Sequence, residues 1–187
     1  MRHVISALVM NEPGVLANVA GMFAARGFNI DSLVVGRTET PDLSRMTIVV
    51  TADENTLEQV RKQLAKLVPV VKVRDFADAS YVERDLALIS VGVSPEQRGQ
   101  VIELANLFRA KVVDVSPASL LIELAGTEEK IEKFVELMKP YNITELARTG
   151  VIAMARGLQM NKEAGSTAPK QRKRTLDAPA TAALPPS

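Results

Sequence analysis

NEPGVLANVAGMFAARGFNIDSL, residues 11–33, decides how the chain folds. Val15, Leu16, Val19, Ala20 and Phe23 recur at the spacing of one helix face, so the stretch predicts an amphipathic helix. Pro13 suits a first helical position, where its missing N–H would have no partner anyway. Gly27 is placed to stop the helix in a left-handed turn. Ile30, Leu33, Val34 and Val35 then predict a strand, ended by the polar run RTETPD at 37–42.

The same reading extends outward in both directions. Residues 3–10 read as a strand before the helix, and Met46–Thr51 as a β-branched strand after it. Asp53 or Asn55 starts a second helix, whose Leu57, Val60, Leu64 and Leu67 share a face, and Val70–Phe76 is a further strand. The order β-α-β-β-α-β is the ferredoxin-like split pattern. It then repeats. Leu86–Val93 is a strand, and Pro95 opens a helix bearing Val101, Leu104, Ala105 and Phe108. Val112–Val115 and Leu120–Leu124 are strands, Ile131, Phe134, Val135 and Met138 mark a helix face, and Ile143–Ala147 is a last strand. Gly14, Val15 and Phe23 align with Gly99, Gln100 and Phe108 at a single offset. A repeat of roughly 80 residues is too long for a solenoid, so the fold class is α+β, with two tandem ferredoxin-like βαββαβ modules. The expected domains are residues 1–78, residues 79–160 and a basic Pro/Ala-rich tail, 161–187, read as disordered because it has little apolar surface to bury.

Composition removes several classes of function. The 187 residues include no cysteine and one histidine, His3, so thiolate sites, cysteine nucleophiles and His-based zinc sites are excluded by number. His3 is read as an edge or surface residue rather than a general base. No nucleophile elbow, phosphate-binding loop or dinucleotide fingerprint is present, and no catalytic constellation emerges. Carboxylates such as Glu58, Glu128 and Glu129 fall on the polar faces of the predicted helices, and Glu83-Arg84-Asp85 reads as charged residues flanking a strand rather than a salt-bridged connector. The tail carries five Lys/Arg and two Asp/Glu, leaving 18 basic and 20 acidic groups in the first 160 residues. Such a body is poorly suited to gripping nucleic acid. RNA readers of this fold stack bases on aromatics of the central strands, yet the first strand and residues 44–51 have none. No signal peptide or membrane span is legible, and a cytoplasmic location is expected.

Binding remains. A helix start leaves backbone N–H groups without partners and carries the positive end of the helix dipole, so an anion can satisfy both. Gly14 has no Cβ to block approach, and Asn11 offers an amide to a carboxylate or ammonium. Asn29 lies at the far end of the helix, within reach of the same ligand only across a two-fold interface. Asparagine also suits turns and caps, and spacing alone leaves both readings open.

The motif NEPGVL, 11–16, following a first strand, resembles the amino-acid-binding ACT domain. With FAARGFNIDSL (23–33), DLSRMTI (42–48), LEQVRKQLAKL (57–67), YVERDLAL (81–88), FRAKVVDVS (108–116) and ARTG (147–150), the chain over about 1–160 is similar to the regulatory (small) subunit family of acetohydroxyacid synthase, also called acetolactate synthase. That resemblance implies a subunit with no activity or cofactor of its own. Its implied partner is a large catalytic subunit using thiamine diphosphate, Mg²⁺ and FAD, which it activates and makes sensitive to valine. It implies a homodimer through the N-terminal ACT domains, with valine held by Asn11, Gly14, Val15 and Leu16 of one chain and closed in by Asn29 and Ile30 of the other. The second module begins its first helix with Ser94-Pro95-Glu96 and is expected to dock on the catalytic subunit. The alternative is a free-standing ACT-type amino-acid sensor acting on another target.

Overall fold

The computed structural model describes residues 1–77 and 79–157. The expected disordered tail, 161–187, lies outside the described residues. The first module runs β1 (Arg2–Met10), α1 (Val15–Ala24), β2 (Ser32–Arg37), β3 (Leu43–Thr51), α2 (Glu54–Lys66) and β4 (Val70–Asp75). The second runs β5 (Tyr81–Gly92), α3 (Pro95–Leu107), β6 (Lys111–Ser116), β7 (Ser119–Gly126), α4 (Glu128–Met138) and β8 (Ile143–Arg148). A short strand, β9 (Ile152–Ala155), follows. The sheets are antiparallel, in order β2-β3-β1-β4 and β6-β7-β5-β8, which gives two tandem ferredoxin-like modules.

Period-two alternation sorts β1. Ile5, Ala7 and Val9 face the helices and meet Val19, Phe23, Val60 and Leu64 in one buried core. The duplicate does the same with Ala87, Ile89 and Val91 against Val101, Ala105, Ile131 and Phe134. Each large side chain so buried contributes about 1.5–3 kcal/mol. Three helices are closed at their start by a side chain. Asp53 Oδ1 accepts from the Thr56 N–H at 2.7 Å, Thr127 Oγ1 from Lys130 at 3.4 Å, and Ser94 Oγ from Gln97 at 3.4 Å. Gln97 Oε1 in turn accepts the Ser94 N–H at 3.3 Å, completing a capping box. Ser94→Ala is therefore expected to cost about 1 kcal/mol, read as a lower urea midpoint with unchanged slope.

Four sequence expectations are corrected. Helix α1 begins at Val15, so Pro13 belongs to the turn before it; Gly14, at φ 84, occupies the N-cap in a left-handed conformation. His3 is buried, not peripheral, because β1 is an inner strand and the ring faces the α2 side, with Nε2 3.2 Å from the Ala52 carbonyl oxygen. Strand β5 starts at Tyr81 instead of Leu86, because β9 supplies a pairing partner for Tyr81–Arg84. The Glu83-Arg84-Asp85 segment is a connector after all. Glu83 accepts from Arg2 at 3.0 Å, and Arg2 reaches Glu128 at 2.6 Å, tying the first strand to the second module.

Beta9 was absent from the sequence reading, and it joins the two halves. Val151, Ala153 and Ala155 lie against Val4, Val49 and Phe76 on the helix-free face of the first sheet, forming a third buried cluster. The Phe76 and Tyr81 rings pack beside it with centroids 4.9 Å apart.

Candidate functional site

Asn11 to Gly14 and Leu16, around the start of α1, are exposed, and no side chain caps the helix. Gly14 is the residue that makes this possible. Its φ of 84 is costly for any residue with a Cβ, and an added Cβ there would meet nothing within 4 Å. The Val15 N–H reaches the Glu12 oxygen only at 3.5 Å. A start lacking a capping side chain, open to approach and carrying the positive dipole end, suits a carboxylate.

Asn11 is held from within. Its Nδ2 donates to the Pro41 oxygen at 3.0 Å, and its Oδ1 accepts from Ser44 Oγ at 3.1 Å. These bonds fix its orientation, while the second N–H and second lone pair of the amide leave it further capacity. Val15, 5% exposed, sends its side chain into the core, so it offers a ligand its backbone alone. Leu16, 47% exposed, is the apolar side chain that the helix start presents.

Asn29 sits at the other end of the sheet. Its Nδ2 donates to Asp31 Oδ1 at 2.8 Å, and Thr51 Oγ1 donates to Asp31 Oδ2 at 2.8 Å. Ile30 is half-buried against the first core. Asn11 is tied to Ser44 and Asn29, through Asp31, to Thr51; these ends of β3 are about 24 Å apart at ~3.4 Å per residue. Within one chain the structure therefore brings Asn11, Gly14, Val15 and Leu16 together and holds Asn29 and Ile30 away from them.

Two cavities of about 440 and 530 Å³ flank β9 on the helix-free face of the first sheet, and neither includes any of these six residues. Among the described residues there is no group of three His, Cys, Asp or Glu able to hold a metal ion, and no helix is long and apolar enough to cross a membrane.

Sequence reasoning missed a second constellation, although ARTG at 147–150 was its signal. Asp85, 1% exposed, accepts from Arg148 Nε at 2.9 Å, Thr149 Oγ1 at 3.2 Å and the Gly150 N–H at 3.1 Å. Arg148 also pairs with Glu132. Burial alone would lower the Arg148 pKa, but hydrogen bonds and charge from Asp85 and Glu132 outweigh it and raise it above the ordinary value.

Two βαββαβ modules in tandem, one with an uncapped glycine start to its first helix, define a protein of the ACT-domain class. Residues 5–72 match the family model described as the AHAS small subunit-like ACT domain, and residues 84–157 match the small subunit of acetolactate synthase. The probable acetolactate synthase small subunit of Archaeoglobus fulgidus is 57% identical over 157 residues, covering 84% of this chain and 98% of the relative. The acetolactate synthase small subunit of Mycolicibacterium smegmatis is 52% identical, over 83% of this chain and 91% of the relative. The solved acetolactate synthase small subunit of Thermotoga maritima superposes with a TM-score of 0.77 at 44% identity, covering 84% of this chain and 98% of that one. The chain belongs to the family of acetolactate synthase small subunits.

Proposed function

We propose that the chain is the non-catalytic regulatory subunit of a cytoplasmic acetolactate synthase. It activates a large catalytic subunit, which carries thiamine diphosphate, Mg²⁺ and FAD, and it confers feedback inhibition by valine. The observation carrying this reading is the contrast between helix starts. Ser94 and Gln97 close α3 with a capping box, whereas α1, at the equivalent place in the first module, has only Gly14 and exposed surface. An amino acid's carboxylate supplies at α1 what Ser94 supplies at α3. In the second module Ser94 and Thr127 close both helix starts, which favours a docking and activating role for it.

The separation of Asn11 and Asn29 supports a site shared by two chains. In the proposed homodimer a two-fold axis would set one chain's Asn29 and Ile30 beside the other's Asn11, Gly14, Val15 and Leu16, making the pair of chains the binding unit. Valine then favours the dimer geometry that activates less well, since only differential affinity can shift such an equilibrium.

Reconstitution with a purified catalytic subunit tests the whole reading: activity should rise on adding this chain and fall again with valine. Failure of this chain to raise the activity would refute the regulatory assignment. Asn29→Ala is expected to weaken valine binding about tenfold in calorimetry, the loss of one charge-assisted hydrogen bond. Unchanged affinity would contradict the shared site.

A further inference from the structure

Strand β2 touches two regions of different purpose. Its leading end follows directly from Asn29 and Ile30 of the valine site. Asp31, bonded to both Asn29 and Thr51, also donates its backbone N–H to the Val49 oxygen at 2.9 Å, pinning that end to β3. One residue on, Ser32 Oγ accepts the backbone N–H of Val151 at 3.2 Å. Val151 leads into β9, which pairs with Tyr81–Arg84 at the leading end of β5, the strand whose later residues, Asp85–Gly92, are central in the second module's sheet. Only Ile30 and Asp31 thus separate Asn29 from a hydrogen bond to the other half of the molecule.

That contact is closely fitted. A Cβ on Gly150 would lie 2.6 Å from Ser32 Oγ and 3.0 Å from Val34 Cγ2, and Gly150 has φ +85. Glycine is required there both by the backbone conformation and by the approach of β2. Behind the turn, Asp85 binds Arg148, Thr149 and the Gly150 N–H. The Thr149 N–H donates to the Leu86 oxygen at 3.0 Å, and the Leu86 N–H to Thr149 Oγ1 at 3.1 Å. The turn is therefore fastened to β5 on one side and seated on β2 on the other. Close-packed contacts of this kind pass displacement on instead of absorbing it.

We infer that the turn Arg148–Val151 is the relay through which occupancy of the shared amino-acid site alters the second module. As a second chain closes over the ligand at Asn29 and Ile30, β2 shifts, and Ser32 and Val34 carry that shift to Gly150 and Val151. Beta9 and β5 follow. The inference rests on the valine-binding reading of the N-terminal module and names how that site is read out. The relay's two states are the Val151 N–H engaged by Ser32 and released from it.

The test uses full-length Ser32→Ala, Ser32→Thr and Gly150→Ala chains, each reconstituted with the catalytic subunit. Valine binding is measured by calorimetry on the regulatory chain, and inhibition on the reconstituted enzyme. Ser32→Ala and Gly150→Ala should bind valine within about threefold of the unmodified chain and activate normally, yet need about tenfold more valine for half-inhibition or lose inhibition altogether. Ser32→Thr, which keeps the hydroxyl, should restore the response. If Gly150→Ala does not fold, the Ser32 pair decides. Normal inhibition in Ser32→Ala overturns the relay. Loss of valine binding in that variant overturns it too, because Ser32 would then belong to the site. An unmodified chain that binds no valine refutes the underlying site, a result separable from either.

Discussion

Gly14→Asp is expected to abolish the valine response of the reconstituted enzyme while leaving its activation close to that of the unmodified chain. A Cβ at this position would meet nothing within 4 Å, so the side chain can leave the backbone without a clash at its base. The backbone at φ 84 charges a left-handed penalty of about 1–2 kcal/mol, which a domain core of this size tolerates. The carboxylate, however, comes to rest at the start of α1, which no side chain caps, and repels the carboxylate of an incoming amino acid. A hundredfold loss of affinity, about 3 kcal/mol, is the expected scale. Gly14→Ala separates the causes, since it brings the same backbone strain without the charge and should fall between the two. Valine inhibition retained at its normal concentration in Gly14→Asp would remove the helix start from the site.

Asp85→Ala is expected to destabilise the chain by about 3–5 kcal/mol, measured by urea unfolding. Asp85 has no exposed side-chain surface and satisfies two side chains and one backbone N–H. Its removal leaves Arg148 with Glu132 alone and the Gly150 N–H without its acceptor. The expected cost lies toward the lower end because Arg148 keeps 27% of its side-chain surface in solvent. A loss below about 1 kcal/mol, the range of an exposed ion pair, would show that the cluster does not hold the β8–β9 turn.

Local chemistry explains what was legible beforehand. The helix face from Val15 to Phe23 and the stop at Gly27, found at φ 67, follow from period and backbone freedom, which neighbouring residues determine. The duplicated topology follows from the same periodicities read twice. Beta9 was not legible, since four residues, Ile152–Ala155, pattern weakly alone, and Ala153 and Ala155 are buried only by a sheet face formed some hundred residues earlier. Asp85 and Glu83 looked like solvated flanks because their partners, Arg148 and Arg2, lie 63 and 81 residues away. Of the candidate site, the helix start and Gly14 could be read directly. The internal bonds of Asn11 to Pro41 and Ser44, and the inward turn of Val15, could not, because both depend on the β2–β3 connection and the assembled core.

The position of β9 has a consequence for the chain during its synthesis. All strands of the first sheet are complete at Asp75, so that module can fold while the remainder is still being made. Its helix-free face, with Val4, Val49 and Phe76, stays bare until Val151, Ala153 and Ala155 emerge. At about 5–20 residues per second, the 75 residues from Phe76 to Val151 take roughly 4–15 s. For that interval the nascent chain displays an apolar patch that the finished protein hides, and the last described strand is the one that closes it.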